Sequence, residues 1–156
     1  MDENEYRNAY QGINVQRCVF EKSILTLNCR CCYHDRLNLA EREAIRCTNE
    51  IANQTCNTFL SNCRSKARFV LQLTDIVGNL LPHSKEIQVQ KGALLGLAPE
   101  LPNKPGTAIE DIYNLLKLAL QSCNNDPNLL PYEKLIQSIS HHPQRTKLRG
   151  RNKTPQ

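Results

Sequence analysis

The stretch Cys29-Arg30-Cys31-Cys32-Tyr33-His34 is the densest part of a cysteine-rich segment around which the chain is organised. This segment runs from position 18 to position 63 and holds seven of the eight cysteines of the chain. No other segment concentrates a reactive side chain in this way, so we expect any chemistry of the protein to be located here. The seven are Cys18, Cys29, Cys31, Cys32, Cys47, Cys56 and Cys63.

The ends and the composition of the chain indicate reduced thiols rather than a disulfide framework. Residues 1–7, MDENEYR, are acidic and polar, and they lack the basic start and apolar stretch of a secretory signal. No apolar run approaches the ~20 residues that span a bilayer. We therefore expect a cytoplasmic protein, a compartment in which clustered cysteines favour metal binding or redox chemistry.

Chain length and helical periodicity predict an all-α fold. The 156 residues suffice for one domain, and with 5% aromatic residues and no Trp the core must be aliphatic side chains and cysteine. We predict a single small domain of about five helices at 14–142. It is divided into a cysteine-rich helical half at 14–78, a Pro/Gly-rich central loop at 79–106 and C-terminal helices at 107–142. A flexible N-terminus at 1–13 and a disordered basic tail at 143–156 flank this domain.

Three helices are predicted in the cysteine-rich half. Apolar residues at helical spacing predict the first over residues 14–32. Asn38 is a candidate N-cap for the second, over 39–47, because Glu41 follows three positions later. The third begins near Thr48 and reaches about residue 73. Its predicted core stripe is Cys56, Phe59, Leu60, Cys63, Ala67, Val70 and Thr74.

Two more helices are predicted after the central loop. Thr107 and Glu110 form a capping box, and the stripe that follows consists of Ile109, Ile112, Tyr113, Leu116, Leu120 and Cys123. Pro131 suits the start of a last helix that carries Leu135, Ile136 and Ile139.

A metal site must combine cysteines from different helices. Two cysteines seven positions apart on one helix are separated by about 10.5 Å, which Zn–S bonds of about 2.3 Å cannot bridge. If the three helices run up, down and up, Cys56 lies near the level of Cys29–Cys32, whereas Cys18 lies in another layer. Soft thiolate ligands favour zinc, an iron–sulfur cluster or Cu(I). The predicted ligands are Cys29, Cys31, Cys32 and Cys56, with Cys63 or Cys47 completing the set.

These residues predict a non-catalytic metal- or iron–sulfur-binding protein acting in electron transfer or in redox or metal sensing. Two alternatives remain, in which the cysteines are either buried core thiols or redox-switch disulfides. The sequence contains no nucleophile elbow, P-loop, zincin helix or dinucleotide-binding fingerprint, so we do not expect catalysis.

The basic tail suggests a different class of function. Residues 1–142 contain 15 basic and 15 acidic side chains, so the net charge of +5 comes entirely from the tail. Such a tail can bind an acidic partner or nucleic acid, which predicts a regulatory or interaction module as the alternative function. It can also be a disordered, solubilising terminus. The five cations are Arg145, Lys147, Arg149, Arg151 and Lys153.

Overall fold

The protein combines helices with a β-hairpin, so the predicted all-α class is wrong. A computed structural model describes residues 14–73 and 81–143 together with 3–5, 8 and 12, and about half of the chain is helical. No described helix is long and apolar enough to cross a bilayer. In chain order the elements are α1 (Glu21–Thr26), β1 (His34–Leu39), β2 (Arg42–Cys47), α2 (Glu50–Lys66), α3 (His83–Leu97), α4 (Ile112–Gln121), a 3₁₀ turn (Pro127–Leu129) and α5 (Tyr132–His141).

The segment predicted as a second helix is an antiparallel hairpin. Leu37 pairs with Ala44 across the strands, and Ala40 turns the chain with a φ of 57°. Over residues 36–39 of β1, RLNL, polar and apolar residues alternate, which is the period of a strand. Two ion pairs also join the strands: Arg46 with Asp35 directly opposite, and Arg36 with Glu43 on a diagonal. The spacing of Ala40, Ala44 and Cys47 fits one face of a helix equally well. The prediction of a helix over residues 39–47 is therefore wrong.

The first predicted helix is much shorter than residues 14–32. The helical part covers only α1, after which Asn28 takes a positive φ of 56° and ends it. The next residues are extended and pair with a distant segment, since Arg30 N donates to Ile109 O at 2.9 Å and Ile109 N donates to Asn28 O at 3.2 Å. The cysteines of this region therefore do not share a helix face.

The third predicted helix is confirmed as α2, although it ends at Lys66 rather than near residue 73. Its N-cap is Asn49 rather than Thr48, because the Asn49 side chain accepts a hydrogen bond from Ala52 N at 2.9 Å. The predicted stripe is buried as far as Ala67, whereas Val70 is 36% exposed and residue 74 lies outside the described residues.

A fifteen-residue helix, α3, occupies most of the segment predicted as a central loop. A Cβ atom on Gly92 would lie 2.6 Å from the Cα of Ile139, and one on Gly96 would lie 2.8 Å from a methyl of Leu135. The two glycines therefore permit a close approach of α3 to α5. In the sequence these glycines indicate a loop, because glycine is unfavourable inside a helix unless packing requires it.

The last two predicted helices are confirmed as α4 and α5. Asp111 rather than Thr107 caps α4, and α5 begins at Tyr132, directly after Pro131. Their predicted stripes enter the main core, which also receives side chains from α1, α2, α3 and the hairpin. Residues 144–156 and most of 1–13 lie outside the described residues, so the flexible N-terminus and the disordered tail stay predictions.

Substituting Gly92 with Val tests the contact between α3 and α5. We expect the free energy of unfolding to fall by about 1–3 kcal/mol or more, because the new side chain must displace the backbone of α5. Gly106→Val is the matched control, since a Cβ there meets no atom within 4 Å. Denaturant unfolding of both variants measures the difference. Equal losses would show that the close approach is not what selects glycine at position 92.

Candidate metal centre

Two segments from opposite halves of the chain form the candidate site. Ile112 N donates to Arg30 O at 2.8 Å, which continues the pairing that begins at Asn28 and Ile109. This pairing brings Cys31 and Cys32 to the N-terminus of α4. There the sulfur atoms of both cysteines and a carboxylate oxygen of Asp111 all lie within 4.8 Å of one another.

Asp111 both caps α4 and holds the cysteine loop. Its Oδ1 accepts hydrogen bonds from Asn114 N at 3.3 Å, in the first turn of α4, and from Cys32 N at 3.2 Å. These bonds leave further lone pairs on the carboxylate, since an ionised carboxylate has about four acceptor sites. Asp111 can therefore hold the loop and still offer an oxygen to a cation.

The environment of Cys31 has opposing effects on its thiolate form. This half-buried side chain has a raised pKa because burial disfavours the charged form. The backbone N–H groups of Tyr33 and Tyr113 oppose that shift by hydrogen bonding to the sulfur. Because Tyr113 lies in the first turn of α4, the sulfur also lies at the positive end of a helix dipole. Hydrogen bonds of this kind tune thiolates that hold metals.

Cys32 is the exposed member of the group. Desolvation of its sulfur first, and the adjacent Asp111 carboxylate second, raise its pKa to about 11. Two thiols and a carboxylate at this separation repel one another once they are ionised. The positive charge of a bound cation would offset that repulsion. It would also keep the coordinated thiols deprotonated.

Three more cysteines, Cys18, Cys47 and Cys56, lie near enough to interact electrostatically with this group. The pKa of Cys56 is raised well above its usual range, first by burial and then by the charges of Cys18, Cys31, Cys47 and Cys32. Cys18 lies beside β2, where Cys18 N donates to Ile45 O at 3.0 Å. Burial and, less strongly, Cys31 and Cys47 raise the pKa of Cys18 to about 12, although the Phe20 N–H opposes this. We call Cys18, Cys31, Cys32, Cys47 and Cys56 the thiol cluster.

The remaining cysteines lie elsewhere. Cys29 is buried against α3, where Lys91 Nζ lies 3.5 Å from its sulfur. Cys63 is fully buried on α2, where burial raises its pKa to about 12 and the positive charge of Arg64 opposes this shift. Cys123 is half-buried just beyond the end of α4.

Sequence reasoning proposed four of the five cysteines in the thiol cluster. It placed Cys18 in a different layer because it assumed a continuous first helix. It also missed Asp111, since an aspartate before a helix is an ordinary N-cap and nothing in its local sequence relates it to a cysteine 79 positions earlier. The structure does not bring the predicted ligands Cys29 and Cys63 to the thiol cluster.

The predicted partner-binding residues Arg145, Lys147, Arg149, Arg151 and Lys153 lie outside the described residues. Comparisons with protein-family models, curated proteins and solved structures found no match to this chain.

Two substitutions of Asp111 separate its roles. We expect Asp111→Ala to lower the free energy of unfolding by about 0.5–2 kcal/mol, because α4 loses its N-cap and Cys32 N loses its acceptor. Asp111→Asn keeps an amide oxygen in the same place and should cost less than half as much. Denaturant unfolding in the presence of a chelator isolates this structural role from any bound metal. If both variants lose the same stability, the cap is not what Asp111 contributes.

Proposed function

We propose that this protein binds zinc or an iron–sulfur cluster through the thiol cluster and Asp111, in a non-catalytic role in electron transfer or in redox or metal sensing. The observation that carries the proposal is the convergence of Cys31, Cys32 and Asp111, whose donor atoms all lie within 4.8 Å of one another.

The spacing of these donors is close to what a metal requires. Two ligand atoms bound 2.3 Å from a tetrahedral centre are about 3.8 Å apart. Donors that already lie within 4.8 Å therefore need to move inward by about 1 Å or less to coordinate one ion. Cys31 and Cys32 belong to a loop, not to a helix, so this adjustment does not disturb a regular element.

The donor types favour different metals at different ligand counts. Two thiolates and a carboxylate form a mixed set that suits zinc, and a fourth position remains for water or another thiolate. An iron–sulfur cluster needs more sulfur ligands, which Cys18, Cys47 and Cys56 would supply. Cysteine ligation and N–H···S hydrogen bonds are compatible with both zinc and an iron–sulfur cluster. The number of cysteines that bind the metal therefore distinguishes zinc from a cluster.

Anaerobic purification followed by metal analysis and absorption spectroscopy tests the proposal. We expect about one zinc per chain with no colour, or iron with broad visible absorption. Cys31→Ser should lose most of the metal, because it removes the sulfur that receives two backbone N–H groups. Cys123→Ser is the matched control, since this half-buried cysteine is not in the thiol cluster. A metal-free, folded wild-type protein would overturn the proposal.

We also propose that the basic tail binds an acidic partner or nucleic acid. The support is the charge distribution, in which five cations and no acid follow His142 in an otherwise neutral chain.

Deleting residues 143–156 tests this second proposal. We expect the full chain to bind single- or double-stranded oligonucleotides, or a polyacidic peptide, with an affinity that falls steeply as salt concentration rises. The truncated chain should lose that binding and keep its folded circular dichroism spectrum. Fluorescence anisotropy at two salt concentrations measures both effects. Undiminished binding after truncation would assign it to another surface.

A further inference from the structure

A cavity of about 260 Å³ lies between α1, α2 and α3. Its polar wall carries three cations and two acids, and its apolar wall includes Val19 and Leu81. Cys18 also contributes to the wall, so the cavity borders the thiol cluster without containing the Cys31, Cys32 and Asp111 group. The charged residues are Arg17, Lys22 and Arg64 with Glu21 and Glu86.

A buried network fixes the inner side of this cavity. The Glu86 carboxylate accepts hydrogen bonds from Arg64 Nε at 3.0 Å and from Gln90 Nε2 at 2.8 Å. Gln90 is anchored in turn, because its Oε1 accepts from Ser23 Oγ at 2.7 Å. The side chains of Arg64 and Glu86 are only 13% and 7% exposed, so this ion pair is largely shielded from water.

The other acid is also paired. Glu21 Oε1 lies 2.9 Å from an Arg17 guanidinium nitrogen, and Glu21 Oε2 accepts from Ile45 N at 2.8 Å. Both carboxylates of the cavity thus have a cationic partner. Among the residues that line the cavity, three cations against two acids leave an excess of one positive charge.

Lys22 carries this excess charge. Within the described part of the chain its ammonium group makes no hydrogen bond or ion pair. Burial lowers the pKa of Lys22, Glu86 opposes this, and Arg17 and Arg64 lower the pKa further. The wall therefore holds a partly desolvated cation beside two others, an arrangement that an anion in the cavity would stabilise.

We infer that this cavity binds a small organic monocarboxylate, with its carboxylate on Lys22 and its short hydrocarbon body against Val19 and Leu81. The size of the cavity limits the ligand, because pockets that bind drug-sized molecules have volumes of roughly 300–1,000 Å³. The single excess charge matches a monoanion rather than a phosphate dianion. The apolar wall adds a contact that an inorganic anion cannot use.

Titration of the purified full-length protein with propionate and butyrate, followed by amide NMR shifts, tests the inference. We expect saturable shifts at Val19, Lys22 and Leu81. Propionamide has nearly the same shape without the charge, and it should bind at least about tenfold more weakly. Inorganic phosphate should also bind at least about tenfold more weakly.

Lys22→Met keeps most of the aliphatic stem and removes the charge, so it should weaken propionate binding at least about tenfold. Lys117→Met is the matched control, because Lys117 is exposed on α4 away from the cavity, and it should bind propionate like wild type. Three outcomes would overturn the inference: no saturable binding of either acid, phosphate binding as tight as propionate, or equal effects of the two lysine substitutions.

Discussion

The backbone pairing of residues 28–30 with 109–112 is the constraint on which the candidate site depends. Its three hydrogen bonds join parts of the chain about 80 residues apart and satisfy polar groups between α1 and α4. The cap of α4 lies at one end of this pairing, so Asp111 meets the loop that carries Cys31 and Cys32. This pairing therefore lies directly after α1 and at the start of α4. It brings together the donor atoms of Cys31, Cys32 and Asp111.

The contact between α3 and α5 also stabilises this pairing, through the position of Lys91 on α3. Gly92 and Gly96 let the two helices approach, and the neighbouring Lys91 is carried into the interior, where its side chain is fully buried. Its ammonium donates to Leu27 O at 2.9 Å and to Thr107 O, which are carbonyls on either side of the paired segments. A buried charge is tolerated only when its donors are satisfied, so Lys91 ties both segments to α3.

Sequence patterns predicted the features that depend on local periodicity. The stripes of α2, α4 and α5 were identified because neighbouring residues determine which helix face is buried. The hairpin was missed because Ala40, Ala44 and Cys47 fit both a helix and a turn followed by a strand. The helix α3 was missed because Gly92 is required by its close contact with Ile139 on α5, which the local sequence does not show. The hydrogen bond between Cys32 and Asp111 is not visible in the local sequence either. The contacts that assemble the site join residues far apart in the sequence, so local sequence patterns do not predict them.

The long interval between the donors also affects when the site can exist during synthesis. Cys32 and Asp111 are 79 positions apart, so at about 5–20 residues per second the ribosome needs roughly 4–16 s to make the intervening chain. Throughout that time the vicinal thiols emerge on a nascent polypeptide that has no partner segment. Any ion held by all three donors must therefore be acquired after translation has passed α4.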